Sequence, residues 1–313
     1  MPVHLSAFKR LQIMLRIIRE FWTAPKQMRQ LEEQFAQIQR EYEASFSPDA
    51  DAETLIALVS KLKEDILAHW DITLVNDLYA FVYTGLLKKS RRGGAVQAEI
   101  AGIEQIESMR PALALQALTA QLKAEENAEI RPTMETESSA VFLSRQHPLV
   151  QEIVHFIHEF GDRAPEELKL ETPTFRTHPE RLLKLLLQMS QQEEKKLAPQ
   201  KLEEVEQKSG WWTNFLRKRA MTGVKYRESS RLNRTRIYGM MRQIFRTLGQ
   251  QLVEQGLLAT PDDVFYLTKE ELFELTRKPR DVSGLIAERR EKLEADKELP
   301  TFSRYVFAGQ VFE

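Results

Sequence analysis

WTNFLRKRAMTGVKYRESSRLNRTRIYGMMRQIFRTLGQQLVEQG, residues 212–256, decides the fold class of this chain. Ile237, Met240, Met241, Ile244, Phe245, Leu248 and Leu252 recur at helical spacing and define one apolar face. Gly256 stands just past the last of them, where a helix C-terminus favours a residue able to adopt positive φ. The pattern predicts one helix of exceptional length in the C-terminal half. The rest of the chain follows the same habit. Leu11, Met14, Leu15 and Ile18, then Phe35, Ile38 and Tyr42, predict two helices over 5–46, split near Pro25. SPDADAE, residues 47–53, reads as a polar connector ending in capping residues, and a long helix is expected from there to about Lys89, stopped by the RRGG of 91–94.

Further helices are expected over 96–124, interrupted at Ser108–Pro111, over 148–160 with Gly161 closing it, and over 180–208. The polar segment before 148 and the Pro-containing stretch up to Pro179 read as loops. DDVFYLTKEEL, 262–272, reads as a short β-branched and aromatic run before a helix start at Thr268, and YVFAGQVFE at the end of the chain as a second short strand. The expectation is a mainly α, multi-helix protein with at most a small β element, in two parts, 1–130 and 131–313. With 12 glycines among 313 residues, a strand-and-turn architecture is disfavoured.

Composition narrows the chemistry. There is no cysteine, which excludes disulfides, thiolate nucleophiles and thiolate metal sites. LQIMLRIIREFW is the nearest approach to a spanning segment, but Arg16 and Arg19 interrupt it, so a cytoplasmic protein with no membrane partner is expected. The glycine-rich phosphate loops, the nucleophile elbow and the paired-histidine zinc motif are absent. His155 and His158 could share a helix face, and the reading preferred is a structural one, with His155 bordering the core and His158 near the helix end.

The charge distribution is uneven. Arg217, Lys218, Arg219, Lys225, Arg227, Arg231, Arg234, Arg236, Arg242 and Arg246 face a single acid, Glu228, in a chain of net charge −1. On a helix Arg227, Arg231, Arg234, Tyr238 and Arg242 fall in one stripe beside the apolar face. Such arginines can present guanidinium forks to a phosphate or carboxylate, or pair with acids and cover the core; both readings stay open. No nucleic-acid module is present, and nucleic acid is not expected as a partner.

HEFGDRAPEELKLETPTFRTHPERLLKLL, 158–186, resembles the "GHRG…E-L-D-L…P-x-W-R-E-D-P" signature of phosphoenolpyruvate-synthase-like and rifampin-phosphotransferase-like proteins. Gly161, Arg163, Glu167, Leu168, Leu170, Pro173, Arg176 and Pro179 match it, while Asp162, Ala164, Phe175 and His178 depart from it. LGQQLVEQGLLATPDDVFYLTKEEL, 248–272, resembles a second family segment. ITLVNDLYAFVYTGLL, with Asn76 and Asp77, and IEQIESMRPALALQAL, with Ser108 and Pro111, resemble two more. The resemblance implies a machine in which an ATP-grasp module phosphorylates a histidine on a mobile domain that serves a small-molecule acceptor. This chain is expected to be its non-catalytic, substrate-binding or linker module, with ATP and Mg²⁺ on a partner, and with ATP-grasp and phosphohistidine-domain proteins acting in trans. Arg163, Glu167, Arg227, Arg231, Arg234, Asn76 and Asp77 are the expected substrate-binding residues, the arginine stripe facing a cavity near the GDRAPEEL loop. The alternative is a stand-alone helical protein that binds a hydrophobic or anionic small molecule.

Overall fold

The computed structural model describes residues 6–67, 70–89, 109–192, 210–299, 305–307 and 310–312. It is mainly α-helical, as the periodicity requires. The helices are α1 (Ala7–Ser45), α2 (Ala52–Leu67), α3 (Asp71–Lys89), α4 (109–123), α5 (Ile130–Thr136), α6 (Ser139–Leu143), α7 (Pro148–Phe160), α8 (Pro179–Gln191), α9 (Trp211–Glu254), α10 (Lys269–Arg277) and α11 (Ser283–Lys297). Among the described residues an antiparallel hairpin, β1 (Tyr305–Phe307) with β2 (Gln310–Phe312), pairs Val306 with Val311. The RRGG stop and the expected helical turns over 96–108 and 193–208 lie outside the described residues.

The chain divides into two compact units, one of Met1–Phe46 and Ala57–Met241, the other of Ser47–Ile56 and Arg242–Glu313. The first unit is built on three long helices. Trp22, Glu32 and Tyr42 of α1 meet Arg219, Ser229 and Met240 of α9 in the same order, so these helices run parallel. Asn76, Tyr79 and Tyr83 of α3 meet Gly223, Arg219 and Phe215, so α3 runs antiparallel to α9. Their seam is set by Ala24, Met28, Leu31, Phe35 and Tyr42, buried at the alternating spacing of four and three that lets helices interlock. That packing explains why Pro25 does not split the segment. Pro25 lies inside α1, where it lacks an N–H for the carbonyl four residues back, a cost of about 3 kcal/mol. The buried residues on both sides of it offset that cost by about 1.5–3 kcal/mol each for the larger side chains.

A second core in the same unit gathers α4 to α8. Leu118, Leu122, Ile130, Phe142, Ile153 and Leu182 are among its buried members. The polar stretch before 148 is therefore not a plain loop. It contains α5 and α6, whose Ile130, Met134 and Phe142 are buried. His147 caps α7 by accepting from the Leu149 N–H at 3.2 Å, and Pro148 takes the first turn.

The second unit contains the end of α9, a 3₁₀ turn at Pro261–Tyr266, α10 and α11. Gly256 has φ of +74°, and the Leu257 N–H donates to Leu252 O at 2.9 Å, the bond that closes a helix through a left-handed glycine. The DDVFYL run expected as a strand is this 3₁₀ turn. Thr260 and Asp263 cap each other's backbone, so local hydrogen bonding overrides the β-branched composition. Glu271 accepts from the Thr268 N–H at 2.8 Å and from both terminal nitrogens of Arg289, joining α10 to α11. The Arg289 guanidinium, then the Thr268 amide, draws the Glu271 carboxyl down to about 2.

Two predictions follow from this packing. A methyl on Gly223 would lie 2.9 Å from the Ala80 Cα, whereas one on Gly85 meets nothing within 4 Å. Gly85→Ala should raise stability by about 0.5–1 kcal/mol through helix propensity. Gly223→Ala should lower it by about 1–2 kcal/mol because backbone must move; chemical denaturation of the pair reads opposite signs. Glu271→Gln should cost about 1 kcal/mol at neutral pH. Because the folded carboxyl titrates below its ordinary value, its contribution is complete above about pH 4.5 and disappears as pH falls towards 2. The difference in Tm between wild type and Glu271→Gln should therefore close over that window.

Candidate functional site

The motif loop after α7 is organised by one buried carboxylate. Asp162 is buried and rests against α9 at Gly239, where an added Cβ would stand 2.1 Å from the Asp162 Cγ. Arg176 Nε donates to Asp162 Oδ2 at 2.6 Å, its Nη2 donates to the His158 carbonyl at 2.7 Å, and its backbone N–H donates to Gly161 O at 3.0 Å. One arginine thus neutralises the acid and closes the loop on itself. Tyr42 of α1 lies near the pair, and burial pushes its hydroxyl well above the ordinary tyrosine range.

Around this pair the charges alternate. Arg110 Nη2 donates to Glu159 Oε1 at 2.7 Å and its guanidinium lies 5.8 Å from the Phe160 ring centroid. His158 Nε2 is 3.0 Å from Glu43 Oε1, and the Gln39 hydrogen bond, with this contact behind it, holds Glu43 below its ordinary value. Arg236 of α9 feels the charges of Glu159, Arg176, Arg110 and Asp162, and its burial lowers its affinity for the proton. Arg110 is matched by Glu159 and Arg176 by Asp162, while the buried Nε of Arg236 has no hydrogen-bond partner among the described residues. Gly161 closes α7 in an ordinary right-handed conformation, and the positive φ in this loop falls at Glu166, with φ of 59°. There the Glu166 carbonyl accepts from Lys169 N–H at 2.8 Å and from Thr172 Oγ1 at 3.0 Å, bonds that hold an uncommon conformation.

The residues expected to bind substrate are placed as follows. Arg163 and Glu167 come together, Nε to Oε2 at 3.7 Å, both largely buried. Asn76 is buried and donates to the Gly223 carbonyl at 3.0 Å, while its neighbour Asp77 is exposed, so the two do not act as a pair. Arg227 and Arg231 both approach Glu228, at 3.7 and 3.5 Å. Arg234 is half-buried, and its Nε has no hydrogen-bond partner among the described residues. Arg242, at the end of the stripe, is buried.

The stripe does not face the motif loop, contrary to expectation. Arg236 and Gly239 are the α9 positions turned to the loop, and Arg234 and Arg227 stand on nearly the opposite side of a helix that advances about 100° per residue. His155 is also not at the border of the core; it is exposed, 3.7 Å from Glu159. Among the described residues no three His, Asp or Glu side chains gather as a metal site. Two clefts of about 410 and 400 Å³, one at Glu129, Arg145 and His147, the other between Met134 and Leu187, contain none of the expected residues. Tyr42, Arg110, Arg236 and Gly239 were missed in the sequence. Arg176 had its signal in the motif itself, but its partner depends on Asp162, a departure from the family pattern.

The model of the rifampicin phosphotransferase fourth domain matches residues 69–228, from the start of α3 through the motif loop into the basic part of α9. Proteins of Mycobacterium bovis and two strains of Mycobacterium tuberculosis, described as uncharacterized, are each 43% identical to it over 67 residues. That is 21% of this chain and 8% of each relative, so the chain spans a small part of the length of the curated proteins it matches. Matched over half its length by that one model, the chain belongs to the rifampicin phosphotransferase fourth-domain family.

Proposed function

We propose that this chain is the acceptor-binding and linking module of a three-part phosphotransferase. ATP-grasp and phosphohistidine-domain proteins work with it in trans. ATP and Mg²⁺ are held by the ATP-grasp partner, and this chain orients a small-molecule acceptor without itself moving a phosphoryl group. Family membership supports the setting. The observation that carries the binding role is Arg234, a half-buried arginine of α9. Its Nε is buried and lacks an acceptor among the described residues, and Arg231 of the same stripe stands 3.5 Å from Glu228. A guanidinium so placed has a donor to give, and a phosphate or carboxylate is the group whose geometry it fits.

The motif loop has a different role in this reading. Its ions are satisfied by one another, so Arg163, Glu167 and the Asp162–Arg176 pair hold the acceptor module in shape. Asn76 does the same by fastening α3 to α9.

The test is reconstitution with an ATP-grasp protein and a phosphohistidine-domain protein, labelled ATP, Mg²⁺ and rifampicin as acceptor. Label should reach the acceptor only when this chain is present, and the chain alone with ATP should stay unlabelled. Transfer without the chain, or a stable label on the chain itself, refutes the proposal. Two variants separate the roles assigned above. Arg231→Gln with Arg234→Gln should weaken the thermal shift produced by phosphate, pyruvate or phosphoenolpyruvate by about tenfold in apparent affinity, with little loss of stability. Arg176→Met, which strands a buried carboxylate, should instead cost about 3–5 kcal/mol of stability and leave any ligand-induced shift in place.

A further inference from the structure

The start of α1 and the start of α9 form a surface that the phosphotransfer reading does not use. Phe8, Leu11, Met14, Leu15, Ile18 and Trp22 occupy one broad face of α1, and all are exposed. Further along the same helix the apolar residues Ala24, Met28, Leu31 and Phe35 are buried, so exposure is confined to the first four turns. Trp22 is 73% exposed, and the first residues of α9, Trp211 and Trp212, are 79% and 52% exposed. Three of the chain's four tryptophans therefore stand in solvent at this end of the bundle. They are one patch: Trp212 stacks on Phe215 at 5.6 Å, and Arg219 lies 5.2 Å from the Phe215 ring and 5.4 Å from Trp22.

The same end is basic. Lys9, Arg10, Arg16 and Arg19 stand against Glu20 on the first turns of α1. Arg217, Lys218 and Arg219 stand near the start of α9, and Lys88 and Lys89 close α3, with no acid between 211 and 219 or between 80 and 89. Charge of one sign argues against a second copy of the chain seated on this face, because its cations would oppose these. An occupant must be apolar within and anionic at its surface.

We propose that this end of the first unit docks on an anionic lipid surface, the face of α1 and the tryptophans entering the boundary of headgroup and acyl chain while the Lys and Arg side chains meet lipid phosphates. A helix with Trp, Phe and Leu on one broad face lies in such an interface rather than across it; in α1 Arg16, Lys9 and Arg10 lie off that face, with the exposed Ile13 and Ile17 between them. Indole rings favour the depth where one edge is wet and the other apolar. No described helix is long and apolar enough to cross a membrane, and this mode of contact needs none. The expectation of no membrane partner rested on the missing span and does not bear on an interfacial helix.

The test uses the full chain with vesicles of phosphatidylcholine alone and of phosphatidylcholine with phosphatidylglycerol, read by co-sedimentation and tryptophan emission. Binding should appear with the anionic vesicles, shift the emission to shorter wavelength and weaken as salt is raised. Leu15→Glu with Ile18→Glu, both at exposed positions, should keep the thermal melt and reduce partitioning at least about tenfold. Removing Lys9 and Arg16 by substitution with Gln should reduce it by about fivefold per residue. Equal binding to neutral and anionic vesicles, or none to either, overturns the proposal. So does an emission already short-wavelength without lipid and unmoved by it, which would mean that protein covers the rings. A self-associated chain that Leu15→Glu with Ile18→Glu turns into a monomer assigns the face to a second copy and likewise refutes the lipid proposal.

Discussion

The burial of the Asp162 carboxylate is the constraint from which the geometry of the motif region follows. An ionised acid removed from water costs several kcal/mol unless an opposite charge and hydrogen bonds replace its solvent. Arg176 supplies the charge, at 2.6 Å, and it can do so only because the loop turns back from Gly161 and re-enters a helix at Pro179. The acid also needs space against α9, and a glycine at 239 is what provides it. One acid, one arginine and one glycine from separate stretches of sequence thus fix how α7, α8 and α9 sit in the first unit.

The long helix α9 works because its sides do different jobs. Leu216, Ala220 and Val224 pack with Leu87 of α3, and Gly223 admits the α3 backbone. Arg236 and Gly239 meet the motif loop, and Arg227, Arg231 and Arg234 look away from it. Arginines that were one charge run in the sequence therefore divide, with Arg236 at the loop and Arg227 and Arg234 on nearly the opposite side of the helix. Counting charge along a helix does not separate these, because two residues a step or two apart in sequence can face opposite neighbours.

How much was legible follows from the range of the forces involved. The extent of α9, its glycine stop at 256, the extent of α7 and the cap at Thr268 depend on contacts within a few residues, and the sequence carried them. The α-helical class was legible for the same reason. Pro25 misled because a local rule, the break at proline, lost to packing on α3 and α9 that no local window contains. Val264 and Phe265 misled in the opposite way. Their β-branched and aromatic character gave way to Thr260 and Asp263 capping a 3₁₀ turn. In the candidate site, Arg163 and Glu167 were named because they match the family motif, and their spacing of four brings them together. Tyr42, Arg110 and Arg236 were not, since their relation to Asp162 crosses most of the first unit.

The first helix makes the same point about what apolar spacing can establish. Leu11, Leu15, Ile18 and Trp22 repeat as regularly as Met28, Leu31 and Phe35, yet the first set is exposed and the second buried. Periodicity reports that a helix has an apolar face; it says nothing of whether a partner lies opposite. In α1 that partner, α3 with α9, meets the helix from Phe21 onwards, and the large apolar side chains of the preceding turns are exposed. Leaving so many large apolar side chains in water forgoes about 1.5–3 kcal/mol for each that could have been covered. Scattered single residues on a surface need no explanation, but a contiguous face with three tryptophans and a rim of cations is the pattern of a surface made to be covered. The motif loop satisfies its own charges, and this end of the bundle does not. The two ends of the first unit are therefore physically different kinds of surface, one closed on itself and one that calls for a partner.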